Sequence, residues 1–422
     1  MKKLFLPIFH FLISIYEYYI KLSQPYFQKK ALFRIRNKKG PINVLFFVLG
    51  ESNWKYESVY KLMVKDPFFN PMIIVCPEVN QGIKYMKETM DSCYGFFKNK
   101  GYVVYKALNY ENMKYLNTRE LNPDIIFYEN PYRGLINWRY YIYRQRKVLT
   151  CYVNYFYNNS KFAWTSSLAF HKILWKYFVE CEKVLQIMKP LSKDNSRNCV
   201  VVGYPTYDEF QKKNISDAIW KQKDAHIKRV IWAPHHSIVA KEGALKYSTF
   251  LYYYKFMRTL PQIYQGKIQF VFKPHPLLKI HLYNHKDWGK EKTDEYFDFW
   301  EKQSNTNYTN GEYIDLFLTS DALIHDCGSF TIEYLYTKKP TMYLTNSNNG
   351  DQFNAIGKEA LDCHYLANTE ELIIQFLDKV VCQGQDKLIA NRNSFYENYL
   401  LPPNGLSVAE NITNEIKSCL CK

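Results

Sequence analysis

From residue 41 onward, short apolar runs alternate with longer amphipathic stretches. Ile42 to Leu49, Met72 to Cys76, Tyr102 to Tyr105, Asp124 to Tyr128 and Val148 to Val153 are rich in Val, Ile and aromatics and bounded by Pro, Gly or Asn, the pattern of buried strands. Helical stretches fall between most of them, which predicts a parallel sheet covered on both faces. A second series follows the polar stretch Ser192 to Asn198. Its strands are expected at Cys199 to Gly203, Arg229 to Ala233, Ile268 to Lys273, Ala322 to His325 and Thr341 to Leu344, with helices around 247–264, 328–337 and 370–381. The expected fold class is α/β, with two Rossmann-like domains (41–195 and 196–422) facing across a cleft. Ligands of such open sheets bind beyond the carboxyl ends of the strands.

Residues 1–40 follow another pattern. An apolar run from Leu4 to Tyr16 is interrupted by Pro7 and His10 and closed early by Glu17, short of the roughly 20 residues a spanning helix needs. No small-residue cleavage site follows it, which argues against a removed signal peptide. The same segment holds nine Lys or Arg (Lys2, Lys3, Lys21, Lys29, Lys30, Arg34, Arg36, Lys38 and Lys39) against the single acid Glu17. The expectation is a segment lying on an anionic membrane surface, peripheral and on the cytoplasmic face; the alternative is an amphipathic helix packed on its own domain. Tyr140, Tyr141 and Tyr143, beside Arg139, Arg144 and Arg146, form a second candidate membrane patch.

Composition narrows the classes. The 422-residue chain is 47% hydrophobic and 23% charged, values that exclude wholesale disorder. Half of its net charge of +16 falls in residues 1–40, which points to a membrane surface and away from nucleic acid. Ten cysteines are scattered through apolar runs without CxxC pairs, so reduced cytoplasmic thiols are expected and no metal cluster stands out.

Candidate chemistry gathers where strands of the second series end. Arg229 to Ala233 runs into Pro234, His235, His236 and Ser237; Ile268 to Lys273 runs into Pro274, His275 and Pro276; Ala322 to His325 runs into Asp326, Cys327, Gly328 and Ser329. Gly328 and Ser329 would open a helix whose free N–H groups favour a diphosphate, and Glu333, a turn later, could accept from ribose hydroxyls. Lys273 is a further donor-binding candidate. His275 is expected to stabilise a leaving phosphate, with His236 and then His235 as candidates for general base.

Four segments carry a resemblance: Gly203-Tyr-Pro205-Thr-Tyr-Asp208, Ile231-Trp-Ala-Pro234, Phe272-Lys-Pro-His275 and the stretch from Asp315 to Tyr343. Together they resemble the CDP-glycerol glycerophosphotransferase family, the teichoic-acid primases and polymerases. The resemblance implies a GT-B fold and transfer of glycerol or ribitol phosphate from a CDP-activated donor to a lipid-linked glycan or polymer acceptor, with release of CMP. It implies no obligatory cofactor or metal. By position, Asp326, Gly328 and Ser329 match the family's Asp-Tyr-Ser-Ser block, Glu333 its acidic residue seven places on, and His275 a His near the donor phosphates. Cys327 and Gly328 depart from that block. The family's Ser-Phe-His-Gly-Lys segment has no clear copy, and in the nearest stretch, from Gly50, Trp54 stands where its His would fall. A GT-B glycosyltransferase using a nucleotide sugar remains an alternative, as does a non-catalytic membrane-surface or polyanion-binding protein.

Overall fold

The computed structural model describes residues 2–80, 82–162, 168–191, 196–238, 245–347 and 350–421, with 2–12 described by their backbone alone. The chain forms two compact units. One comprises residues 1–156, 163–208 and 402–422, the other 157–162 and 209–401.

The sheet of the first unit holds β1 (Ile42–Val48), β2 (Phe69–Val75), β3 (Val104–Lys106), β4 (Ile125–Tyr128), β5 (Leu149–Val153), β6 (Lys176–Val179) and β7 (Cys199–Val201). All neighbours are parallel, in the order β3-β2-β1-β4-β5-β6-β7. The chain builds outward from β1 in one direction, then restarts at β4 on its other side, so the topological switch point lies between β1 and β4. Almost every residue of β1 is buried, as a strand covered on both faces requires, and Phe46 stacks on Phe127 at 4.9 Å.

The second unit repeats the plan with β8 (Lys228–Ala233), β9 (Ile268–Phe272), β10 (Thr306–Tyr308), β11 (Ala322–His325), β12 (Thr341–Leu344) and β13 (Tyr365–Ala367). Its order is β10-β9-β8-β11-β12-β13, again all parallel, with the switch point between β8 and β11. Trp232 anchors its core, ringed by Phe250, Phe272 and Trp300.

Two expectations about organisation are corrected. The strand at Cys199, read above as opening the second series, pairs with β6 and closes the first sheet. The last helix, Val408–Leu420, likewise belongs to the first unit. The Gly203 to Asp208 motif explains that return: Asp208 accepts from Val408 N and Ala409 N, both at 2.9 Å, at the start of this helix. Gly203 adopts φ +96, and a Cβ there would come within 2.8 Å of Pro402 and Val408 side chains, so only glycine fits. Residues 192–195 of the expected linker lie outside the described residues.

The N-terminal segment is one helix, α1 (Lys2–Arg36). It is not detached: Ile20, Gln24, Ala31 and Ile35 are buried, and Gln28 donates to Ile173 O. Part of its basic cluster is also engaged internally, since Arg34 and Lys38 pair with Asp124 and Arg36 donates to Cys419 O. Its opposite face leaves Ile15, Tyr18, Tyr19, Leu22, Tyr26 and Phe33 exposed. No helix among the described residues is long and apolar enough to cross a membrane. Tyr140, Tyr141 and Tyr143 are buried and drop out as a surface patch. All ten cysteines are free thiols.

Candidate active site

At the switch point of the second sheet, three adjacent strand ends are tied together by backbone chemistry. Asp326, just beyond β11, is fully buried and accepts from His235 N (2.5 Å), Thr249 N (2.5 Å) and Thr249 Oγ1 (2.8 Å). Burial still pushes its carboxyl up to about 6. His275 N donates to Pro234 O and Lys273 N to Trp232 O, which fixes the end of β9 against that of β8. Asp326 is thereby a positioning residue, its oxygens occupied by the chain.

The clamp brings the three predicted histidines together. The ring of His236 lies 4.2 Å from that of His235 and 4.2 Å from that of His275, and His281 stands 5.1 Å away on the other side. Burial, reinforced by the neighbouring imidazoles, holds His235 and His275 well below the usual histidine range and His236 at about 4. All three are neutral at pH 7 and so act as neutral hydrogen-bonding groups.

Hydrogen bonding fixes the tautomer of two of them. The Nδ1 of His235 accepts from Ser237 N at 3.2 Å and lies 2.9 Å from Ser237 Oγ. That hydroxyl oxygen already accepts from Tyr247 N and Ser248 N, so its proton points to Nδ1. Likewise His275 Nδ1 accepts from Leu277 N at 3.1 Å. The proton of each ring therefore sits on Nε2. Ring nitrogens of His235, His236 and His275 lie within 4.8 Å of one another, a spacing a metal ion could use. A metal ligand needs its other nitrogen protonated and donating, however, and in two of the three that nitrogen accepts. The set suits an anion better than a cation.

Lys273 supplies the charge. It is only 5% exposed, and no acidic residue pairs with it among the described residues. Burial lowers its ammonium to about 8, so it is still protonated at neutral pH. An isolated buried cation beside N–H donors is costly until an anion arrives.

The remaining predicted donor residues sit differently. Gly328 lies under Tyr247, whose ring would be 3.0 Å from an added Cβ, and its carbonyl accepts from Asn159 Nδ2 at 2.5 Å. Ser329 is half-buried and makes no capping bond at the start of a helix only four residues long, Phe330–Glu333. Glu333 is buried and takes a hydrogen bond from the Tyr313 hydroxyl, so in this arrangement its carboxylate faces the protein. Ser237 was named in the strand-end cluster but given no role; Tyr247, Thr249 and Asn159 were not singled out by sequence, because they arrive from distant segments.

The first unit carries a carboxylate at its own switch point. Glu129, directly after β4, is 1% exposed and accepts from Leu49 N (2.7 Å) and Gly50 N (3.3 Å) at the end of β1. Its Oε1 is buried without a hydrogen-bond partner. Burial first, and then the charges of Glu51 and Glu78, raise it to about 8. Trp54 instead is core, donating to Glu57 and packed edge-on against Phe97.

Two parallel α/β units, each with polar groups at its switch point, are the hallmark of two-domain GT-B enzymes. The solved structures bear this out. The chain is similar to the wall teichoic acid polymerase TagF (12% identity, TM-score 0.57, covering 100% of this chain and 99% of that one). It is also similar to S. aureus MnaA with UDP (13%, 0.55, 90% and 97%) and to UDP-GlcNAc 2-epimerase from Neisseria meningitidis bound to UDP-GlcNAc (11%, 0.53, 90% and 100%). At such identities the likeness is one of fold. A comparison with curated proteins finds no match. The chain belongs to the CDP-Glycerol:Poly(glycerophosphate) glycerophosphotransferase family, whose model matches residues 173–400. As a member of that family it is a transferase, and the family implies a nucleotide-activated donor and a glycan or polymer acceptor.

Proposed function

We propose that the protein moves glycerol phosphate or ribitol phosphate from its CDP ester to a hydroxyl of a lipid-linked acceptor. The acceptor oxygen bonds to the phosphorus bearing the polyol, the bond from that phosphorus to the CMP oxygen breaks, and CMP leaves with the electron pair. The observation that carries this reading is the buried Lys273, whose charge acts on His275, together with the His235 and His275 rings that carry their protons on Nε2, a cradle for a diphosphate. His275 donates to the leaving phosphate as a neutral hydrogen-bond donor. Lys273 offsets the developing charge, so no metal is required.

As general base His236 remains the candidate, with His235 in reserve: His236 Nδ1 is buried without a hydrogen-bond partner, an acceptor that a substrate hydroxyl would fill, and the acceptor proton passes to that nitrogen.

We place the enzyme peripherally on the cytoplasmic face of the membrane, held by the exposed apolar stripe of α1. The function is tested by incubating protein with CDP-glycerol, CDP-ribitol or a UDP-sugar and an extracted lipid-linked acceptor. CMP release with a polyol donor is expected; consumption of the UDP-sugar alone would establish a glycosyltransferase instead.

A further inference from the structure

At the end of the first sheet opposite to its strand carboxyl termini lies a cavity of about 450 Å³, between α1 and the starts of β6 and β7. Lys21, Lys172, Lys176 and Arg197 line it, and no Asp or Glu does. Lys176 is paired with Glu415 behind the wall, whereas the wall itself offers only cations and neutral groups.

Two buried polar side chains in that lining lack partners. Both ring nitrogens of His171 and the Oε1 of Gln24 are buried without a hydrogen bond, although each residue is about 97% shielded from solvent. Burial holds His171 neutral, so its ring offers one N–H donor and one acceptor. Unsatisfied buried groups of this kind are rare and mark a missing partner. A partner that fits carries negative charge beside Lys172 and Arg197, accepts from an imidazole N–H, and donates a hydroxyl to Gln24.

A second feature adjoins the cavity. Lys21, Gln24 and Pro25 of its lining belong to α1 and alternate along the helix with Tyr18, Tyr19, Leu22 and Tyr26, whose side chains are more than half exposed. One side of this helix segment therefore faces a basic, polar recess while the other presents a continuous apolar stripe. We infer that the cavity binds the head group of an anionic phospholipid bearing both a phosphodiester and hydroxyls, of the phosphatidylglycerol type, with its acyl chains along the exposed stripe of α1. Basic pockets of this construction bind phospholipid head groups, and an apolar stripe with flanking cations lies in the interface. The inference refines the peripheral-membrane reading above, yet it involves neither donor nor acceptor of the transfer reaction and stands or falls apart from it.

The test is sedimentation of the full-length protein with phosphatidylcholine vesicles, with and without phosphatidylglycerol. Binding should require the anionic lipid, and Lys172→Glu/Arg197→Glu should weaken it ten-fold or more. Lys84→Glu/Lys98→Glu, an equal charge change on the exposed side of the helix Ile83–Asn99, should change it less than two-fold. Gln24→Leu, which keeps size and charge, should lower the preference for phosphatidylglycerol over phosphatidylserine. An equal loss in both double variants, or none in either at unchanged melting temperature, would overturn the pocket. Competition by soluble glycerol phosphate as strong as by lipid would overturn the lipid assignment and leave a free phosphate ester as occupant. Should Lys172→Glu/Arg197→Glu unfold the protein, a photoactivatable phosphatidylglycerol analogue decides: labelling within 168–177 or 196–199 is expected, and labelling elsewhere alone contradicts the proposal.

Discussion

Ser237 Oγ lies 2.9 Å from His235 Nδ1 while accepting from Tyr247 N and Ser248 N. With both lone pairs occupied, the hydroxyl donates to the ring and sends its remaining proton to Nε2, toward the other histidines. Ser237→Ala should lower kcat/KM about ten-fold, and Ser237→Thr should restore it. Nitrogen NMR of the imidazoles should show His235 moving from the Nε2–H form to a tautomer mixture in the alanine variant. An unchanged spectrum would leave the serine with a packing role only.

His275 is assigned to the leaving phosphate through Nε2–H. His275→Ala should reduce turnover by roughly 100-fold, within the range of proton-donor catalysis, with melting behaviour intact. Because burial holds this ring well below the usual histidine range, the rate should show no histidine titration between pH 6 and 7. Near-normal turnover in the alanine variant would remove His275 from the mechanism.

Lys273 should set the alkaline limit of the pH profile: it must keep its proton, and its ammonium is lowered from 10.5 to about 8, so donor capture should fail above that pH. Lys273→Arg should push that limb upward. In the first unit, the carboxyl of Glu129 is raised from 4.5 to about 8, which bears on stability: its favourable contribution is complete below 4.5 and lost as pH rises through 8. Urea denaturation should show Glu129→Gln gaining on the wild type across that window.

Asp326 holds three donors from two segments. Asp326→Ala should cost about 3 kcal/mol, from lost hydrogen bonds to a buried carboxylate, and should also weaken donor binding by displacing His235. If chemical denaturation shows less than about 1 kcal/mol, the clamp is not what holds these strand ends.

The alternation of apolar runs made ten of the thirteen strands of the two parallel sheets legible, because strands covered on both faces read as continuous Val, Ile and aromatic runs. Lys176–Val179, Thr306–Tyr308 and Tyr365–Ala367 escaped, being only three or four residues long, the first with a lysine and the second with an asparagine. Cys199 was assigned to the wrong sheet since a strand's sequence does not name its neighbour. Of the site, His235, His236, Lys273 and His275 were legible from their places at strand ends. In the first unit Glu129 was not legible, because one carboxylate after a strand carries no signal until topology puts it at the switch point. In residues 1–40, the basic count spoke of an anionic surface, yet Arg34, Arg36 and Lys38 are engaged within their own unit, which only packing could reveal.

The stripe on α1 gives a separable prediction about membranes. Tyr18→Ser/Leu22→Ser/Tyr26→Ser should move the protein to the soluble fraction without altering its melting temperature, since all three side chains point to solvent. Deleting residues 1–40 should instead unfold part of the first unit, because Ile20, Ala31 and Ile35 are core. Continued pelleting of the triple variant would place the membrane contact elsewhere.

The account rests on a buried lysine and neutral imidazoles binding the donor diphosphate. Calorimetric titration of the wild type and Lys273→Met with CDP-glycerol tests that most directly, with UDP and GDP analogues for comparison. The predicted result is preferential binding of the cytidine compound that weakens at least 100-fold in Lys273→Met, while the fold is retained. Equal affinity in the two proteins would contradict it.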